Sequence, residues 1–458
     1  MWVLMKKIVS FLFVMWWGMS GLRGQLRAQT PLAPVNSLVS TAEMATLWAD
    51  MSLDVIRRSP GNTPTYASRS LAYLGITMYE SVVRSNPAYR SLVGQVNGLR
   101  ELPQPEPGQE YNWLLVMNAG QAVMLDKLYP HAYRSNSHRI DSLQTAVVVA
   151  LSVTEKSDVV ERSVIYGWTL ARAIFEWSKT DGGYEGYSRS FDAECPVPTG
   201  KSYWIAPVKG SGQSTSQLPL HPAWGKNRPF VADNGQLPLP VPPDYSVDSS
   251  SVCYKEYEAV YRKNTTLTDE EKAIALWWAD DPTHTAAPPG HSYNLATIAI
   301  KKVQPDLIKA AQTYARVGMA VADAFINCWR CKYQYYRERP STFIAATIEK
   351  GWKPFWAEPP FPAFSSGHST QAAAAATVLT SLYGDRFALT DSTHVGHPPD
   401  LITGVTFKPR SFGSFWEMAV ECADSRFYGG IHTPFDNEVG LVEGKKIGHN
   451  VNALIWRK

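Results

Sequence analysis

The stretch Lys332-Tyr-Gln-Tyr-Tyr-Arg-Glu-Arg339-Pro340 closes a helical pattern that starts at Pro305. Lys332 and Arg339 are seven positions apart, so on a continued helix both cations leave one face. Pro340 disfavours helix at the residue before it, which places Arg339 near the helix end. Two cations on one face can clamp an oxyanion, Arg as a planar fork and Lys as a point charge. Taken alone, the pair is better read as a solvated basic face.

Working outward, helical signals dominate. Leu71, Leu74, Met78 and Val82 recur at three- and four-residue steps. Trp113, Val116, Met117, Val123 and Met124 continue such a pattern before Pro130. Residues 146–151 and 159–177 give two more helices, the second closed by Gly182-Gly183. Thr268-Asp-Glu-Glu271 is a capping box opening a helix through Trp277 and Trp278. Residues 371–383, 412–427 and 436–456 complete the set, and no convincing run of alternating strands appears. The class is therefore all-α, read as helical bundles. Between 183 and 250, prolines fall thickly among Gly and Ser. The expected organisation is a signal peptide over 1–28, an N-terminal helical half over 29–190, a Pro-rich excursion over 191–250 and a C-terminal helical half over 251–458.

With 458 residues, 45% hydrophobic and 19% charged, the chain carries ample material for a core, which rules out wholesale disorder. Lys+Arg 44 against Asp+Glu 41 gives net +3, no basis for nucleic-acid binding. Lys6 and Lys7 precede the apolar run Ile8 to Leu22, and Leu26-Arg27-Ala28 offers a cleavage site. The run is shorter than the ~20 residues of a spanning helix. An exported protein, periplasmic or secreted, with no stable membrane span after processing, is expected. The five cysteines are too few for a disulfide scaffold, and Cys328-Trp-Arg-Cys331 sits in a helical pattern that suits buried thiols.

Two further segments carry chemistry. Ser365-Ser366-Gly367-His368 leads into the Ala-rich helix, so free backbone N–H groups face the positive end of its dipole and make an anion site. Gly367 removes a Cβ from the approach, and His368 is placed for proton transfer. In Ser425-Arg426-Phe-Tyr-Gly-Gly-Ile-His432-Thr-Pro-Phe-Asp436, Arg426 adds a third cation. Gly429-Gly430 breaks the helix and turns His432 inward. Asp436, one helical turn on, takes the His432 Nδ1–H and leaves Nε2 as nucleophile or metal ligand.

In this order the three segments resemble the signature of the vanadium-dependent haloperoxidase and type 2 phosphatidic acid phosphatase superfamily: K-x6-R-P, then P-S-G-H, then S-R-x5-H-x3-D. Every fixed position matches except one, where Ser365 stands for the Pro, and the interval from His368 to Ser425 is at the long end. The resemblance implies an all-α helical bundle of the vanadium haloperoxidase/acid phosphatase type. It implies that Lys332, Arg339, Arg426, Ser366 and Gly367 hold the oxygens of vanadate, or of phosphate in a phosphatase. His432 would bond vanadium axially or attack phosphorus, with Asp436 behind it, and His368 would be the acid–base residue. Hydrogen peroxide and a halide, iodide or bromide, would be the substrates of a haloperoxidase, with Lys332 polarising the peroxide. The alternative is an exported acid phosphatase working through a phosphohistidine. Trp329 and Phe361 resemble the aromatic wall where halide approaches, or are ordinary core. An organic acceptor and the oligomeric state stay open.

Asp280 and Asp281, in Trp277-Trp278-Ala-Asp280-Asp281-Pro282, are candidate counter-ions for Arg339 or Arg426. His284 and His291 near them fit no standard zinc spacing, and Pro288-Pro289-Gly290 intervenes, so no separate metal is expected there. His394 and His397 are candidates for the entrance.

Overall fold

The structure, a computed structural model, describes residues 41–206, 218–282, 284–401 and 403–458. The expected signal peptide, 1–28, lies outside the described residues, as does Pro207 of the Pro-rich excursion. No helix among the described residues is long and apolar enough to cross a membrane.

The architecture is helical. In chain order come α1 (Thr41–Arg58), α2 (Pro64–Val82), α3 (Trp113–Leu128), α4 (Arg134–Ser152) and α5 (Ser157–Ser178). The Pro-rich region that follows holds two short 3-10 turns and a five-residue helix, α6 (Ala232–Gln236). Then follow α7 (Val252–Asn264), α8 (Asp269–Trp277), α9 (Ala287–Val303), α10 (Leu307–Tyr335) and α11 (Pro340–Thr347). The chain ends with α12 (Gly367–Tyr383), a two-stranded antiparallel ribbon of β1 (Leu389–Asp391) and β2 (Arg410–Phe412), α13 (Phe415–Tyr428) and α14 (Pro434–Asn452). The ribbon, with Leu389 opposite Phe412, is too short for the alternation test to find.

The ends are fixed by local chemistry. Thr63 caps α2 ahead of Pro64, Thr268 and Glu271 form the expected capping box on α8, and Ser366 caps α12. Helix α10 does not run to Arg339. It stops at Tyr335 because Tyr336 turns left-handed (φ 46°), and Arg339 is extended before Pro340, the first residue of α11. Lys332 and Arg339 therefore do not share a helical face. The chain reversal between them brings both side chains to the carbonyls of 361–365 instead.

Helix α10 is the central strut: it lies along α2 on one side and α12 on the other. Its buried face includes Ala310, Tyr314, Val317, Val321, Phe325 and Trp329. Trp329 and Tyr333 both donate to the Leu220 carbonyl, and the buried Asp323 carboxylate accepts from Phe230 and Val231 N–H, so the Pro-rich excursion is stitched onto α10.

Helices α12 and α14 pack backbone to backbone. Gly440, Gly444 and Gly448 recur at four-residue steps on α14 and face the α12 backbone. A Cβ at Gly444 would stand 2.1 Å from the Thr370 carbonyl oxygen, and one at Gly440 2.9 Å from that of Ser366. Ala373 and Ala374 meet this stripe from α12. Small residues on both sides let the two N-terminal ends lie side by side, which sets the corner 366–368 next to His432 and Asp436.

Candidate active site

A cavity of roughly 260 Å³ opens beside the N-terminus of α12. Gly367, His368, Arg426 and His432 line it, with Trp329 and Phe361 as an aromatic wall and Asp280 and Asp281 opposite. Lys332, Arg339 and Ser366 stand in the wall just behind this surface. The three cations are 0 to 1% exposed.

Helix α12 starts at Gly367, so its first N–H groups have no acceptor within the helix and point toward the cavity end. Ser366 Oγ accepts from Ser369 N–H and from the Ser369 hydroxyl. A Cβ on Gly367 would meet nothing in the protein closer than 3.8 Å. Internal packing does not demand this glycine; a side chain there would fill the floor of the cup. Such a floor of backbone N–H groups fits an oxyanion such as vanadate or phosphate.

His432 sits between two partners that settle its tautomer. Arg339 Nη1, which can only donate, lies 3.1 Å from His432 Nε2. Nε2 is therefore the lone-pair nitrogen, and Nδ1–H donates to Asp436 Oδ2 at 3.0 Å. Asp436 is also the third residue of α14: it shares a capping box with Thr433, and its carbonyl accepts from Ser366 N–H. Burial pushes its carboxyl up, against the pull of Lys332.

Lys332 Nζ gives its three N–H groups to the carbonyls of Pro362, Ala363 and Ser365, at 2.8, 2.7 and 2.6 Å. Burial pulls its pKa down to about 8. Arg339 donates to Phe361 O at 2.9 Å through Nη2 and to Ile431 O at 2.9 Å through Nη1. Both cations lie 5.2 Å from the Phe361 ring. Glu358, buried behind Arg339 and bonded to Ser341, had no sequence signal. Arg426 donates to Ala275 O at 3.0 Å and to Ser425 Oγ at 3.0 Å, and its Nη1 makes no hydrogen bond among the described residues. Asp281 is its facing carboxylate, raised to about 6 by burial against the pull of Arg426.

His368 completes the cup. Its Nε2 is buried without a partner, and the Trp278 carbonyl is hydrogen-bonded to the ring. A carbonyl only accepts, so Nδ1 carries the proton and Nε2 keeps its lone pair. Burial first, then Arg426, holds its pKa well below 6.5; burial and Arg339 do the same to His432. Both rings are neutral bases at pH 7.

These buried histidines bear on stability. His221, bonded to Gly186 O, is likewise lowered by burial, to about 4. Below about pH 6.5 the unfolded chain takes up protons that the folded chain refuses. The contribution of each such histidine therefore falls as pH drops from about 6.5 toward 4, by up to about 1.4 kcal/mol per pH unit, while the raised carboxyls of Asp281 and Asp436 act in the opposite direction. The difference in denaturant midpoint between the natural chain and His221→Gln, followed from pH 7 to 4.5, isolates the His221 share: it is expected to shrink as pH falls, and a difference independent of pH contradicts it.

The other sequence candidates land as follows. Trp329 and Phe361 pack with ring centroids 4.9 Å apart and face the cavity. Asp280 hydrogen-bonds His291 and His394 rather than a cation, while its charge still acts on Arg426 beside that of Asp281. His394 is 3% exposed and His397 half-buried, and neither lines the cavity entrance as expected. All five cysteines are free thiols.

The chain is similar to known proteins over most of its length. A sequence profile for the VCPO second helical-bundle domain matches residues 312–457. A solved bacterial vanadium-dependent iodoperoxidase is 32% identical, covers 91% of this chain and 97% of its own, and superposes with a TM-score of 0.78. The chain belongs to the vanadium-dependent haloperoxidase family. Vanadium chloroperoxidase of Curvularia inaequalis is 24% identical over 372 residues, 64% of this chain. The chain spans 60% of that curated relative's length. A bacterial vanadium-dependent chloroperoxidase shares the fold at 14% identity, with a TM-score of 0.65 over 87% of this chain.

Proposed function

We propose that this protein is a vanadate-dependent haloperoxidase that oxidises a halide with hydrogen peroxide to hypohalous acid. The observation that carries the reading is the convergence on one cavity of a helix N-terminus, Arg426, and two neutral histidine nitrogens, with Lys332 and Arg339 at its wall. Vanadate, when bound, supplies a Lewis-acidic centre for peroxide that keeps its oxidation state. Arg426, Ser366 and the Gly367 N–H would hold its oxygens; Lys332 and Arg339 would join them by exchanging bonds to the carbonyls of 361–365 and to His432 Nε2, which would then be free to bond the vanadium. His368 Nε2 would take a proton from arriving peroxide and return it to the leaving oxygen. Phe361 and Trp329 present a polarisable wall to a large halide, and the similarity to an iodoperoxidase supports iodide before bromide. Lys6 to Leu22 supports export of the chain.

The test is iodide and bromide oxidation with peroxide, with and without vanadate, beside a phosphoester assay. Vanadate-dependent iodide oxidation is the expected result. Phosphoester turnover without it would instead assign His432 Nε2 the role of phosphorus nucleophile. Arg426→Ala is expected to weaken vanadate binding about 10- to 150-fold, the equivalent of 1.5–3 kcal/mol for a charge-assisted contact. Equal dissociation constants for the two proteins would remove Arg426 from the cup.

A further inference from the structure

Beside the oxyanion cup, and of opposite charge preference, lies a second cluster. We propose that Asp280, His291 and His394 form a binding site for one divalent transition cation of the zinc class. The proposal does not depend on which oxyanion the cup takes.

The three residues come from separate parts of the chain: the loop after α8, the first turns of α9 and the loop after β1. His291 Nδ1 lies 2.9 Å from Asp280 Oδ2, and His394 Nε2 lies 3.0 Å from Asp280 Oδ1. All three donor atoms are within 4.8 Å of one another, and the side chains are 1 to 4% exposed. Two imidazoles and one carboxylate are a donor set for zinc and its first-row neighbours.

The surroundings point the same way. His291 Nε2 lies 2.8 Å from Asp391 Oδ2. Asp391 is itself held by Trp277 Nε1–H and Thr393 N–H, each at 2.9 Å. Metal-binding histidines are supported in this way, the far ring nitrogen donating to a fixed carboxylate. Trp278 stacks on His291 at 4.5 Å, and Trp277 meets His394 edge-on at 5.1 Å, which orients both rings and keeps water out. Asp280 adopts a left-handed backbone (φ 50°), a conformation that costs energy in a residue with a side chain and concentrates at functional positions. Its two carboxylate oxygens go to the two imidazoles, one to each. Asp280 also lines the cavity, which gives an ion a way in.

A proton is the competitor. Burial opposes charge on His291, yet Asp280 and Asp391 outweigh it and raise its pKa to about 10. The ion takes the place of the Nδ1 proton, and the Nε2–H stays on Asp391. The strip from Trp278 to Asp281, which carries the carbonyl that holds His368, would then be tied at one end by the ion.

The test uses the untagged full chain, dialysed against chelator and titrated at pH 8 with Zn²⁺ by calorimetry and with Co²⁺ by visible absorption. One saturable equivalent is expected, with and without vanadate. His394→Gln, in a loop, is expected to lose it, and Asp391→Asn to weaken it about 10- to 100-fold. No saturable equivalent in the natural sequence would overturn the proposal and leave a cluster held by protons alone. Unchanged affinity in His394→Gln, or a site lost only in His397→Gln, would overturn this set of ligands. The titration of the natural chain decides by itself should a variant fail to fold.

Discussion

Replacing His432 with alanine is expected to leave a folded protein that no longer retains vanadate and oxidises iodide no faster than free vanadate does. The fold survives because the side chain removes little else. Arg339 keeps its bonds to Ile431 O and Phe361 O, and Asp436 keeps its cap on Thr433. What disappears is the nitrogen lone pair whose availability Asp436 and Arg339 define between them. A fall in kcat/KM of at least about a thousandfold, on the order of 4 kcal/mol, is expected. Equilibrium dialysis against vanadate and peroxide-dependent iodide oxidation measure the two losses. His368→Ala separates the roles: it should keep vanadate and lose about 100- to 10,000-fold in turnover, the usual range for a proton-transfer group. Normal turnover in His432→Ala would sink the proposed function.

The second large effect is structural. Gly444→Val should destabilise the protein by about 3 kcal/mol, the upper end for overpacking a filled interior. Valine gains only about 0.3 kcal/mol of helix propensity over glycine, too little to offset the clash. The obstacle is the Thr370 carbonyl and the Ala373 and Ala374 atoms, none of which is the end of a flexible side chain. The two helices must move apart, and their N-terminal ends carry Gly367, His368, His432 and Asp436. Vanadate affinity is therefore expected to fall together with the denaturant midpoint. Val442→Ala on the exposed side of α14 is the control, with a change within about 0.5 kcal/mol. Full affinity in a destabilised Gly444→Val protein would show that the seam does not set the site.

Much of this was legible in the residues, and the failures have physical causes. The stepped pattern of Leu71, Leu74, Met78 and Val82 marks α2, but it understates the burial: every residue from Thr65 to Val82 is buried, so the helix is covered on all sides rather than along one stripe. The capping box at Thr268 marks α8 because its groups are local. Arg339 was placed on the wrong element because a tyrosine at 336 adopts a conformation that its type rarely takes. Pro288-Pro289-Gly290 read as a break, yet both prolines lie in the first turn of α9, where a missing N–H costs nothing. His394 could not be tied to Asp280, since 114 positions separate them and only the tertiary fold joins them. Glu358 behind Arg339 was invisible for the same reason. The three motif segments were found because their spacing resembles the family signature, in which residue type and interval are fixed more narrowly than core packing requires.

Asp436 gives the site a weakness. One carboxylate both starts the final helix and aims the ring at 432, while its carbonyl secures the neighbouring corner at Ser366. Any fraying of that first turn releases the imidazole and the corner in the same event. Loss of the oxyanion on warming should then track amide exchange at positions 433–437, well before the core opens.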